Sequence, residues 1–256
     1  MRYALGLVLA CLVTPAQAAQ CEARSGPRTT ALVELYTSEG CDSCPPADRW
    51  LQGLAGRGLA PDRVVPLSLH VNYWDYIGWK DPYAQQRFAD RQRRLAQVMR
   101  ARIIYTPQVL LQGRDFRGWH GAGFEAAVAA INARAPGARI DLSLRAGGAE
   151  TFDVTARAEL LDASQGPDAA LYLASYENKL VSRVTAGENR GRSLAHDYVV
   201  LEWVGPIAFA GGRAEGRRSV PLLPKAVPAN SGVAAFVQNR RSGEVLQALM
   251  LPACPG

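Results

Sequence analysis

"TTALVELYTSEGCDSCPPADRWLQGL", residues 29–54, decides how the first half of this chain is read. Thr29 to Thr37 is a short apolar run of the kind that forms a buried strand. Cys41 and Cys44 follow, two residues apart. Ala47, Trp50, Leu51 and Leu54 then recur at helical spacing, and Gly56 and Gly58 end that helix. Pro45 and Pro46 have no N–H to donate and sit comfortably only in a first turn, so the helix should begin around Ser43 or Cys44. A cysteine pair in this position has three readings: a redox site, half of a metal site, or two cysteines that merely lie close.

The compartment narrows these readings. The chain opens Met1-Arg2-Tyr3, runs apolar from Ala4 to Val13 and reaches Ala16-Gln17-Ala18. One positive charge, about ten apolar residues and an A-x-A site have the anatomy of a cleavable signal peptide over residues 1–18. The run falls short of the roughly 20 residues a membrane span needs. A lipid-anchored reading is weaker, because Cys11 comes too early and Cys21 follows Gln20. The expectation is a periplasmic or secreted protein with no membrane span. Cleavage leaves Cys21, Cys41, Cys44 and Cys254, and an even count in an oxidising compartment invites pairing. Cys41 and Cys44 are close enough to pair with each other, and Cys21 and Cys254 are expected to form a structural disulfide at the chain ends, the alternative being two tails that carry free thiols.

About 238 residues then remain, enough for one large domain or two ordinary ones. The composition, 48% hydrophobic and 20% charged, is globular. Net charge falls from +6 to +5 and is spread thinly, so nucleic acid is not expected as a partner. Val64–Val71 reads as a second strand, Tyr83 to about Ala101 as a long helix, Val109–Gln112 and Asp115–Trp119 as a hairpin, and Phe124, Val128 and Ile131 as a closing helix. From Ile140 short alternating runs separated by turn residues take over, among them FDVTARAEL, ALYLASYE, DYVVLEWVG and GVAAFVQN. This texture predicts an all-β, sandwich-like part over 139–252 after an α/β part over 28–136.

The order strand, helix, strand, helix, strand, strand, helix, with a CxxC after the first strand, is that of thioredoxin. In that order Thr106-Pro107, just before the third strand, is expected to be a cis bond. Thr106 would then offer its backbone to an extended peptide. More closely, the chain resembles a secreted bacterial family of unknown function, DUF1223. The matching stretches are "VELYTSEGCDSCPPAD", "HVNYWDYIGWKDPYA", "YTPQVLLQG" and "GENRGRSLAHDYVV". The resemblance implies a thioredoxin-like first domain and places its redox site at Cys41, Cys44 and Pro107. It implies no substrate.

Thiol–disulfide exchange needs a thiolate, and a helix N-terminus supplies unpaired N–H groups and a positive dipole end to stabilise one. Cys41 is therefore expected to be an exposed nucleophile and Cys44 a buried resolving thiol, with Asp42 opposing ionisation. This reading requires the Cys41 sulfur to be accessible and near residue 107. Trp74 and Tyr76, in the aromatic stretch Asn72–Trp79, are expected to join Thr106 in a substrate groove. The segment Glu188–Arg192 with His196-Asp197 is read as a loop that either reaches over the cysteines or holds itself together by polar contacts. Six arginines, Arg87, Arg91, Arg93, Arg94, Arg100 and Arg102, are read as a solvated helix face. His70, His120 and His196 are scattered. A Cu(I) site using the cysteines and one histidine is chemically sensible, but no metal or other cofactor is expected. The leading reading is an exported thiol–disulfide oxidoreductase acting on an unidentified protein dithiol or disulfide. The alternatives are a non-catalytic thioredoxin-fold binding module with a structural disulfide, and a copper-binding protein.

Overall fold

The computed structural model describes residues 20–148, 151–223 and 226–254, so the expected leader, residues 1–18, lies outside the described residues. The first half contains strands β1 (Gln20–Arg24) and β2 (Ala31–Thr37), helix α1 (Pro45–Gln52), β3 (Val64–His70), α2 (Gln86–Val98), β4 (Gln108–Leu111), β5 (Arg114–Asp115) and α3 (Gly123–Asn132). The second half is built from β6 (Ala138–Gly148), β7 (Thr151–Leu160), β8 (Ala169–Glu177), β9 (Leu180–Arg183), β10 (Ser193–His196), β11 (Val199–Ala208), β12 (Arg213–Pro221), β13 (Ser231–Asn239) and β14 (Val245–Pro252).

The strands do not divide where the sequence texture changes. One eight-stranded sheet has the order β14-β13-β8-β11-β3-β2-β4-β5 and so draws four strands from each half. Its seam is the start of β11, where Val199 pairs in parallel with Ser68 of β3 and the Ser68 N–H donates to the Tyr198 carbonyl at 2.8 Å. Beyond that point α2 closes the join, with Gln85 and Arg87 donating to the carbonyls of Leu201 and Trp203. The expected fold class, an α/β thioredoxin-like domain followed by an all-β sandwich-like domain, is therefore overturned. The chain is mostly β, and its α-bearing and all-β stretches share one sheet. The run DYVVLEWVG was read as a strand of a separate sandwich, but it extends the first half's sheet instead.

Alternation along the strands explains the layers, because successive side chains point to opposite faces. Leu32 and Tyr36 of β2 pack with Phe88, Ala89 and Leu95 of α2, together with Tyr172 and Phe236 from the second half. Ala31, Val33 and Leu35 of the same strand face Ala47, Trp50 and Leu51 of α1 and Phe124 and Val128 of α3. Beside these two helices, on the same face of the large sheet, lies a four-stranded sheet of order β1-β6-β7-β12. Its Ile140, Leu142, Val154 and Ala156 pack on Leu171 and Leu173 of β8 and Val233 of β13. Two short strands, β9 and β10, form a hairpin of their own against α1, where Gln52 donates to the Ala195 carbonyl.

Arg91 departs from the expected solvated face. It is 3% exposed and grips the Glu34 carboxylate through two nitrogens, at 2.5 and 3.0 Å, and it also donates to Gln238 of β13. Its guanidinium lies over the rings of Tyr172, Trp203 and Phe236. A planar, always-charged fork suits this dual role. The same helix that looked like a basic surface thus fastens the two halves together.

Candidate functional site

The C-terminal end of β2 delivers the chain to the cysteines. Gly40 lets this turn press against the aromatic segment: a side chain there would stand 3.0 Å from the Trp74 Cβ. Cys41 and Cys44 are disulfide-bonded, with Cα atoms 5.4 Å apart. Cys44 occupies the N-cap of α1, and the two prolines take the first helical positions, as the sequence requires. Cys21 and Cys254 form the second disulfide, with Cα atoms 5.8 Å apart.

Two expectations about Cys41 fail. Its side chain is 0% exposed, as is that of Cys44, so the exposed nucleophile of the sequence reading is sealed. Nor does the helix offer its N–H groups: Pro45 and Pro46 have none, and those of Ala47 and Asp48 both donate to the Cys44 carbonyl. The polar contact to the Cys41 sulfur is instead the Ser43 hydroxyl, 3.4 Å away, which must be the donor because a disulfide sulfur carries no hydrogen.

The covering comes from the second half. In the connection between β9 and β10, the buried Asn189 side chain donates to the carbonyls of Glu39 and Cys41, at 2.8 and 2.9 Å. Arg192 holds the Asn189 oxygen, and Glu188 accepts from the Asp42 N–H at 3.1 Å. Gly187 packs on Ile77 with a positive φ of 71°. Of the two readings of this segment, polar contacts carry it: it is bonded to the backbone of the cysteine turn at Glu39, Cys41 and Asp42. Arg190 and Arg192 remain exposed.

Thr106-Pro107 is cis. Gln108 pairs with Tyr36, which sets Pro107 at the β2 end from which the cysteine turn departs. Trp74 donates its indole N–H to the Thr106 hydroxyl at 2.7 Å, so these two expected groove residues meet. Tyr76 stands apart, 81% exposed.

Beneath the turn lies a group of buried ionisable side chains that sequence spacing could not assemble. His70 and His196, scattered in sequence, sit 4.9 Å apart with rings nearly perpendicular. His70 Nδ1 bonds Asp81 at 2.7 Å, and His196 Nε2 bonds Glu39 at 3.0 Å. The Trp79 indole donates to the other Glu39 oxygen, and the Glu39 N–H donates to Asp81. Asp48, one turn into α1, has an oxygen 3.9 Å from His196 Nδ1. Burial pushes the Asp48 carboxyl above its ordinary range, against the pull of the two imidazoles. Burial also works against a charged His70, but the Asp81 carboxylate outweighs it and raises the imidazole. Asp81 is in turn held low by His70 despite its own burial. Four atoms here, Thr37 Oγ1, Asp48 Oδ1, His70 Nε2 and His196 Nδ1, have no hydrogen-bond partner in the protein. His120 lies outside this group, beside Trp119. Among the described residues no set of three or more His, Cys, Asp or Glu side chains is arranged to hold a metal ion.

With this geometry established, comparison with known proteins adds the lineage. A family model described as "Protein of unknown function (DUF1223)" matches residues 32–238. The chain belongs to the DUF1223 family. The match spans the cysteine turn, its cover and the buried histidines alike. Among solved structures the chain is similar to protein AGR_C_4864 from Agrobacterium tumefaciens, with 24% identity and a TM-score of 0.61, covering 90% of this chain and 96% of that one. It is also similar to HBP35 of Porphyromonas gingivalis, with 17% identity and a TM-score of 0.68, covering 90% of this chain and 76% of that one. At these identities the likeness is one of fold. No curated protein matches the chain.

Sequence reasoning missed Glu39, Asp48 and Asp81 as site members, and took Asn189 only as part of the segment Glu188–Arg192. Signals were present in the acid two residues before Cys41 and in the acid four residues after Cys44. Nothing local tied these acids to the cysteines. No helix among the described residues is long and apolar enough to cross a membrane.

Proposed function

We propose that this protein is an exported thiol–disulfide oxidoreductase whose Cys41–Cys44 pair exchanges with a dithiol or disulfide of a partner protein, and whose centre is closed in the state described. The observation that carries the reading is the setting of the pair: a two-residue-spaced disulfide at a helix start, over buried ionisable side chains. Magnitudes favour chemistry over stapling. In the chain-entropy model, bridging residues three apart stabilises by only about 2 kcal/mol, whereas the Cys21–Cys254 bridge closes a loop worth about 5 kcal/mol. The buried group beside this weak staple, with Asp48 and His70 raised and Asp81 lowered by burial and by one another, supports a place kept for reactivity. Two disulfides and a leader-like residues 1–18 support export.

The sealed Cys41 sulfur does not meet the accessibility this reading requires, so exchange cannot proceed from the closed state and requires the segment around Asn189 to lift. The same burial favours a second reading, a non-catalytic binding protein in which the 41–44 bridge is structural. Reduction potential separates the two. An exchange-active bond lies between about −120 and −270 mV, and a structural one below about −300 mV. Trapping tests the partner directly. A Cys44→Ser variant expressed with its leader should accumulate a mixed disulfide through Cys41, whereas recovery of unlinked protein alone, with a potential below that limit, would refute the oxidoreductase reading.

A further inference from the structure

Opening a buried disulfide leaves a sulfur that must take up a proton where water does not reach. If the bond opens by attack on Cys41, the electron pair leaves on Cys44, the sulfur at the N-cap of α1. Residues four apart share a helix face, and the residue four beyond Cys44 is Asp48, whose N–H bonds the Cys44 carbonyl. Its carboxyl is buried and has one oxygen without a partner and the other 3.9 Å from His196 Nδ1, which is also unpartnered. We infer, on the basis of the redox reading above, that Asp48 gives a proton to the Cys44 sulfur when the disulfide opens and takes it back when it closes, with His196 passing that proton to and from Asp48.

The step balances. A substrate thiolate forms a bond to the Cys41 sulfur, the 41–44 bond breaks, and the leaving Cys44 sulfur takes the proton of Asp48. The substrate's second thiolate then attacks the substrate sulfur of the mixed disulfide, and the electron pair leaves on Cys41, which takes up the dithiol's other proton. The protein disulfide has gained two electrons, the substrate dithiol has become a disulfide, and Asp48 recovers its proton through His196 from the protons the dithiol released. The groups facing Asp48 are His196 from β10, His70 from β3, Asp81 from the segment before α2, and Glu39 from the cysteine turn through its bond to His196. Burial keeps the Asp48 carboxyl protonated to higher pH than an exposed aspartate, and the two imidazoles limit that rise. The chain therefore places a buried proton source one helical turn beyond Cys44.

Dithiothreitol is a sufficient probe. Its second-order rate of reducing the folded wild type, normalised to its thiolate, should fall as pH rises through the Asp48 titration, which burial moves above the ordinary aspartate range. In Asp48→Asn the profile should be flat and the rate at the acidic end about 100-fold lower, the usual scale of a lost general acid. His196→Gln removes a group that holds Asp48 down, so its inflection should move to higher pH. An Asp48→Asn protein with wild-type rate and profile would overturn the inference while leaving the redox reading intact. Wild type that resists dithiothreitol until it unfolds would overturn both. Should Asp48→Asn fail to fold, the His196→Gln profile decides: a shifted inflection supports the role and an unmoved one refutes it.

Discussion

Replacing Asn189 by alanine tests whether the cover controls the disulfide. The side chain makes two hydrogen bonds into the cysteine turn, to the carbonyls of Glu39 and Cys41. Each is worth about 0.5–1.5 kcal/mol net, so together they hold the closed state by about 2 kcal/mol. At about 0.6 kcal/mol for RT, losing them raises the open population about 30-fold. If exchange proceeds only from open molecules, the reduction rate rises by the same factor. The assay is timed reduction by dithiothreitol, quenched by alkylation and read as two added labels by mass spectrometry, at a concentration where rate is still proportional to reductant. Global stability should fall by about the same 2 kcal/mol, because the closed state loses the two bonds against the open and the unfolded chain alike, while all three apolar clusters stay intact. A rate within twofold of wild type in a folded Asn189→Ala protein would refute the gating argument. The buried sulfurs would then be reached by some other motion or not at all.

Arg91→Ala should cost about 3–5 kcal/mol in denaturant unfolding, the range for leaving one partner of a buried ion pair uncompensated, here Glu34. Exchanging both Arg91 and Glu34 for apolar residues of similar size should recover part of that loss. His70→Gln should change the pH dependence of stability. With the His70 imidazole raised above its ordinary 6.5 in the folded protein, its stabilisation is complete below that value and lost as pH rises through the folded one. Wild-type melting temperature should therefore decline on the alkaline side of 6.5 more than that of the variant. Cys21→Ser should lower stability by up to about 5 kcal/mol without altering reduction of the 41–44 bond, readable by comparing melting curves and dithiothreitol rates on one preparation.

Elements whose periodicity is local were legible in sequence. The strand before the cysteines, the helix opened by Pro45 and Pro46, and most of the alternating runs after Ile140 form close to where their patterns place them. The strands β1, β9 and β10 escaped because four or five residues with mixed burial carry little alternation. The sheet order escaped for a different reason. A strand buried on both faces, such as β3, has no polar face to orient it and says nothing about its neighbours, so the parallel pairing with β11 has no local signature. Arg91 shows the same limit at the level of one residue: surrounded in sequence by solvated arginines, it differs only in what lies opposite in space. The candidate site was half legible. The cysteines and Pro107 stand in a recognisable order, while the His70, His196, Asp48 and Asp81 group depends on contacts across up to about 150 residues of chain.

The bridge between Cys21 and Cys254 makes the oxidised chain a covalent ring of nearly its whole described length. A protease that cuts the backbone once, at any bond inside the ring, cannot release a fragment, since each piece keeps one end of the bridge. A nicked molecule stays together for as long as its surroundings remain oxidising, and only a reductant strong enough to open the clasp lets the two pieces separate.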